Sequence, residues 1–217
     1  MDNVEREQLD RVMGWWRQSG KTVIRFALLA AVVYGAWVYW QHHADVQKTR
    51  ASDTYVMMLY AQQEGEKETV QLRAKELMDE FPSMNYASAA ALVLSKMAFD
   101  EGRHDDALSH LNWVAESYHG EFSDLARLRM ARLYLNNKDA VSALDKLKSV
   151  KTTTFLSMQS ELMGDAYVLE GKKDLAIQSY KTSLDLDDLG SDSRVALVQM
   201  KLADLGVAFE PKHHTEN

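Results

Sequence analysis

The chain has 217 residues, enough for one or two domains, and its 46% hydrophobic and 26% charged residues give the balance of a folded protein, which excludes wholesale disorder. A net charge of −7 without a stripe of Lys and Arg excludes a generally basic nucleic-acid binder. Cysteine is absent, which excludes disulfides, thiolate metal sites and cysteine nucleophiles, and only Pro82 and Pro211 interrupt an otherwise helix-compatible chain.

The first predicted element is a membrane anchor. Residues 1–21 form a short mixed-charge segment, and residues 22–44 follow as the span. Phe26 to Trp40 reads FALLAAVVYGAWVYW, and no formal charge occurs from Phe26 to Ala44. Thr22 to Trp40 as a helix measures roughly 28 Å at about 1.5 Å per residue, close to the thickness of the hydrocarbon slab. Arg25 lies near the N-terminal end of the span, where its stem reaches the headgroups and its charge marks the boundary. Trp15 and Trp16 precede the apolar run, while Trp37 and Trp40 close it, so both predicted interfaces carry amphipathic rings.

Two other readings of this stretch fit less well. A core helix of a soluble domain does not account for the aromatic brackets. A cleaved signal peptide needs small residues after the apolar run, and here the run ends in Tyr39, Trp40, Gln41 and two histidines. Arg11, Arg17, Lys21 and Arg25 precede the span, against Lys48 and Arg50 soon after it, which predicts a cytoplasmic N-terminus. With four acidic and five basic side chains before Asp45, the 173 residues from Asp45 onward carry 28 acidic and 20 basic ones, a net of −8. In a bacterium they are expected in the periplasm, tethered to the inner membrane.

Beyond the anchor, breaks at Gly65, Pro82, Gly102, Gly120, Asn136-Asn137, Thr152 to Thr154, Gly171 and Gly190 separate segments with helical apolar spacing. Ala91, Leu94 and Ala98 share one face, as do Leu125, Leu128, Ala131 and Leu135. No period-2 strand pattern is evident. A repeat emerges at about the tetratricopeptide period. Its clearest unit is Met163-Gly164, Tyr167, Gly171, Ala176, Tyr180, and Met130-Ala131, Tyr134, Ala143, Leu147 repeats it upstream with Lys138 in place of the glycine. Leu94-Ser95, Ala98, Gly102, Ala107, Leu111 is a degenerate unit, and Ala74 with Met78 has no matching first helix. The predicted fold is therefore all-α: one N-terminal transmembrane helix, then a tetratricopeptide-like right-handed α-solenoid of about four helix pairs within residues 45–207. A helix from Asp192 to about Leu205 caps it, and residues 208–217 form a flexible tail.

No catalytic, cofactor or metal site is predicted. Glu116 and His119 have the i, i+3 spacing of di-iron bundles but lack the second pair such sites need, and His42-His43 and His213-His214 read as solvated positions. HExxH, GxSxG and phosphate-cradling glycine loops are absent from the sequence. A stack of helix pairs instead offers a concave surface lined by the first helix of each pair. The repeat phase puts Leu92, Lys96 and Phe99 there, followed by Leu128, Arg132 and Leu135, then Met158, Asp165 and Val168. Either these rows hold an extended segment or a partner helix, or the apolar members pack against neighbouring helices and only the charges reach solvent.

Anchor, orientation and repeats together resemble the YfgM family, single-span ancillary subunits of the bacterial Sec translocon with a periplasmic tetratricopeptide-like domain. The resemblance rests on the mixed-charge N-terminus and the anchor ending in Trp37-Val38-Tyr39-Trp40, on Leu128-Arg129-Met130-Ala131-Arg132, on Gly164, Gly171, Ala176 and Tyr180, and on Gln199-Met200-Lys201-Leu202-Ala203-Asp204-Leu205. It implies association with the SecYEG channel and with a PpiD-like membrane-anchored periplasmic chaperone, and assistance to secreted or outer-membrane polypeptides as they emerge. It implies no catalysis and no cofactor. The competing expectation is an adaptor or scaffold in envelope assembly or stress regulation, unrelated to secretion.

Overall fold

A computed structural model describes residues 3–117, 120–186 and 192–207, without the side chains of residues 3–12, 14–23, 27 and 192. The chain divides into two compact units, residues 1–50 and 51–217. Helix α1 (Asn3–Glu64) supplies all of the described first unit and opens the second. In the first unit Phe26, Leu28, Val32, Tyr34, Tyr39 and Trp40 are each 63–74% exposed. Uncovered apolar surface along the described part of this helix sets it apart from the buried core helix of a soluble domain. Helix α1 is the one helix among the described residues long and apolar enough to cross a membrane by length and composition. Arg25, Trp37 and Trp40 are exposed on it; Trp15 and Trp16 belong to α1, but their side chains lie outside the described set.

The second unit is an array of antiparallel pairs. The end of α1 from Ala51 pairs with α2 (Lys67–Glu80), α3 (Asn85–Asp100) with α4 (His104–Ser117), and α5 (Glu121–Asn136) with α6 (Ala140–Lys148). After a 3-10 turn at Thr153–Phe155, α7 (Leu156–Leu169) pairs with α8 (Lys173–Asp185), and α9 (Asp192–Asp204) follows. Every described element is helical, as expected. Each apolar core joins one pair to the first helix of the next. Met58, Leu77 and Leu94 meet across α1, α2 and α3; Leu92, Leu111 and Met130 meet across α3, α4 and α5; Leu128, Leu147 and Leu162 meet across α5, α6 and α7. No pair buries its own faces alone, which is why the stack holds together.

The small residues sit where close approach demands them. Ala107, Ala143 and Ala176, each five residues past the turn that closes its pair, are fully buried; in α2 that place falls to Val70, 2% exposed, and Ala74 lies one helical turn further on. Gly164 shows the constraint most sharply, since a Cβ built on it would fall 2.5 Å from Cδ1 and 2.9 Å from Cζ of Tyr180. The aromatic of α8 thus lies directly on the backbone of α7.

One turn closes every pair. At Gly65, Gly102, Gly171 and Gly206 φ is between 71 and 77°, and the following amide donates to the carbonyl five residues back, as in Lys172 N to Tyr167 O at 2.9 Å. This is a Schellman cap, which wants a left-handed residue. Lys138 takes the same place between α5 and α6 with φ 58°, the one positive-φ non-glycine residue described, and Asp139 N still donates to Tyr134 O at 2.8 Å. The missing glycine of the third unit is a conserved geometry carried by a strained lysine.

Asp124 pins the connection from α6 to α7. Its carboxylate, 3% exposed, accepts from Lys151 N, Thr152 N and Thr152 Oγ1 at 2.6–2.9 Å and pairs with Arg127 at 2.6 Å. Burial pushes its pKa up, but these donors outweigh burial and hold it below the usual aspartate value.

Helix α9 covers the open end of the array, as expected. Val198 and Leu202 pack on Ala176 and Tyr180, and Arg194 donates to Ser157 Oγ at 3.2 Å. Lys201 reaches back to α7, 2.8 Å from Glu161 and 2.8 Å from Asp165, while Tyr180 donates to Asp165 at 2.7 Å. Burial alone would depress the lysine; its hydrogen bonds to Asp165 and Glu161 prevail and raise its pKa.

Candidate functional site

The first helices of consecutive pairs, α1, α3 and α5, line a track on the second unit. It contains two cavities. One of about 400 Å³ lies among Gln62, Leu92, Val93, Phe122 and their neighbours, and one of about 270 Å³ among Ser95, Phe99, Leu111, Leu133 and Asn136 with Arg132. Lys96 and Arg129 border both. Heptad-like helical spacing explains the arrangement: Lys96 and Phe99 lie one turn apart on α3, as Arg129, Arg132 and Asn136 do on α5.

The residues expected on this surface divide. Lys96, Phe99 and Arg132 come together around the smaller cavity, with Phe99 38% exposed and its ring 5.3 Å from that of His104. Leu92 borders the larger cavity but is only 6% exposed, and Leu128 is 1% exposed within the core of α5, α6 and α7. Their apolar surface is therefore spent on helix packing. Leu135 and Met158 are half-buried against the same core. Asp165 is held by Lys201 and Tyr180, and Val168 is exposed further along α7. Of these rows, Leu92 and Leu128 turn inward at the interpair cores, while Lys96, Phe99 and Arg132 remain as a shorter exposed patch on α3 and α5.

Arg129, which the repeat phase does not place on the concave surface, joins the track as well. It is half-buried, and among the described residues neither it nor Arg132 has an ion-pair or hydrogen-bond partner within the chain. Burial first, then the like charge of Arg132, lowers its pKa from the usual arginine value. Its signal in the sequence was the i, i+3 spacing to Arg132 on a helix with few nearby carboxylates.

A larger cleft of about 670 Å³ lies between α2, α3 and α4, bordered by Lys75, Asp79, Glu101, Arg103 and His110. Two of its charges are paired: Glu101 with Lys67 at 2.9 Å and Arg103 at 2.7 Å, and Arg103 also with Asp106. Burial lowers the His110 pKa, with Asp106 opposing. Lys75 and Arg103 stand among Asp79 and Glu101 there, and this mixed sign makes the cleft a weaker candidate for one class of ligand than the track. Among the described residues no three His, Asp or Glu side chains converge to hold a metal. His42 and His43 are exposed on α1, whereas His119, His213 and His214 lie outside the described residues.

An uncovered apolar helix followed by stacked helix pairs defines a helical-repeat protein with one candidate membrane helix. Residues 13–207 match the family described as tetratricopeptide repeat-like domain, and the chain belongs to that family. Among curated proteins it is similar to the ancillary SecYEG translocon subunit of Neisseria gonorrhoeae, 27% identical over 203 residues that cover 93% of this chain and 97% of that protein. The protein of the same name from Haemophilus influenzae is 26% identical over 206 residues, covering 93% and 97%, and that from Escherichia coli K12 is 23% identical over 204 residues, covering 94% and 97%. The resemblance drawn from the anchor and repeats therefore extends over nearly the whole chain.

Proposed function

We propose that this chain is a noncatalytic ancillary subunit of the Sec translocon, anchored in the inner membrane by residues 22–44 and presenting residues 45–207 in the periplasm. The observation that carries the reading is the end-to-end similarity, anchor included, to proteins named ancillary SecYEG translocon subunit. The excess of Arg and Lys before the span supports a cytoplasmic N-terminus. Its partners are SecYEG and a PpiD-like periplasmic chaperone, and it assists secreted or outer-membrane polypeptides as they leave the channel. The mechanism is proximity. A tether raises the effective concentration of the helical surface beside the channel, so that contacts too weak to hold in solution suffice there.

Affinity purification of the full chain from detergent-solubilised membranes tests this. Recovery of SecY, SecE and SecG with a membrane-anchored chaperone is expected. Recovery of envelope-assembly factors without translocon subunits would establish the adaptor reading in its place.

A further inference from the structure

The track on α3 and α5 holds two cations that nothing described in the domain neutralises. Arg129 is half-buried, Arg132 stands one turn further along the same helix, and neither has an acidic partner. Like charges at this spacing repel, and a guanidinium withdrawn from water without a counter-ion is unfavourable. Asp100, the carboxylate that borders the larger cavity, is taken by Lys96 at 2.6 Å. This positive spot lies on a segment whose net charge is −8, so it is a local inversion rather than a share of a basic surface. Beside the arginines are Phe99 and Leu133, and the Arg129 side of the larger cavity adds Val93 and Phe122.

We propose that this track receives a segment of a partner protein in which an aspartate or glutamate is flanked by large apolar side chains. The carboxylate bridges Arg129 and Arg132, and its apolar neighbours enter against Phe99 and Leu133. Charge complementarity selects the anion, and the planar guanidinium forks match a carboxylate. The track crosses three successive helices and its two cavities share Lys96 and Arg129, so its form suits a chain rather than a lone ion. This inference rests on the array being a partner-binding module, and it adds the chemistry of what binds.

Fluorescence anisotropy on the full chain in detergent micelles tests it, with a labelled peptide alternating Glu with Leu and Phe and a matched peptide carrying Gln for Glu. The Glu peptide is expected to bind, and the Gln peptide about ten- to a hundredfold more weakly, the loss typical of a charge-assisted hydrogen-bond pair. Arg129→Gln and Arg132→Gln each bring the Glu peptide down to the affinity of the Gln peptide. Arg132→Lys recovers part of the loss, because charge remains but the fork does not. Lys181→Gln on α8 changes nothing. Arg132 is exposed, so its variant keeps the test intact should Arg129→Gln fold poorly. Equal affinity for the two peptides overturns the inference. So does Arg-dependent recruitment to phosphatidylglycerol vesicles in place of peptide binding. If translocon subunits copurify while the peptide result fails, this inference alone falls; if the peptide result holds while copurification fails, the translocon reading alone falls.

Discussion

Gly164 faces a ring that has nowhere to go, which makes Gly164→Ala a severe test of the packing described here. Alanine in a helix interior is favoured over glycine by about 1 kcal/mol, so propensity alone predicts a more stable protein. The new Cβ, however, would fall 2.5 Å from Cδ1 of Tyr180. That ring is 2% exposed, and its hydroxyl is fixed to Asp165 at 2.7 Å, so both its face and its tip are held. Overpacking of a rigid site costs about 2–3 kcal/mol, which exceeds the propensity gain and leaves a net loss of about 1–2 kcal/mol. For a domain of this size that lowers Tm by about 2–8 °C. Thermal melts of the full chain in detergent, followed by circular dichroism, read the shift. In a Tyr180→Leu background the clash is relieved, and Gly164→Ala should then be neutral or stabilising, with the difference appearing as a coupling in the double-mutant cycle. An unchanged or raised Tm for the single variant, or the same drop in both backgrounds, would refute the reasoning.

Three further outcomes follow from the same contacts. Lys138→Gly relieves a left-handed non-glycine residue and should stabilise the domain by about 0.5–1 kcal/mol, the strain relieved less the chain entropy a glycine adds, read as a rise in Tm. Lys201→Met leaves buried Glu161 without its cation and Asp165 with Tyr180 alone, and should loosen α9 by about 3 kcal/mol, seen as faster hydrogen exchange across Asp192–Asp204 with α5 unaffected. Asp124 titrates below its unfolded value, so its contribution is present above about pH 4 and is lost as pH falls through the lower folded pKa; Asp124→Asn should destabilise at neutral pH and remove that part of the acid sensitivity in pH-dependent melts.

Features that depend on many residues at once are legible in the amino-acid sequence. Apolar length and flanking aromatics expose the anchor without any contact information, and Gly164, Ala176 and Tyr180 carry a spacing that only a stacked pair explains. The sequence falls short where one residue's direction decides the matter. The first helix of the first pair is the end of α1, whose buried Ala51, Met58 and Ala61 follow the anchor with no break to mark where it begins, although Gly65 closes that pair as Gly102 and Gly171 close theirs. Leu92 and Leu128 share a repeat phase with Lys96 and Arg132, but a small rotation of the helix turns leucine into the core and leaves the cation outside. Asp165 had the same phase and was claimed by Lys201, a partner 36 residues away that no local pattern reveals. Beyond its spacing to Arg132, the place of Arg129 in the groove has no local sequence signal, because an unpaired charge is defined by what fails to surround it.

The most direct measurement of the central claim is photo-crosslinking in intact membranes, with the reactive group placed at Tyr34 in the anchor and at Lys96 in the groove. The account predicts adducts from Tyr34 to translocon membrane subunits and from Lys96 to a periplasmic chaperone or an emerging polypeptide. Adducts from Lys96 to cytoplasmic proteins, or recovery of the chain in the soluble fraction without detergent, would contradict it.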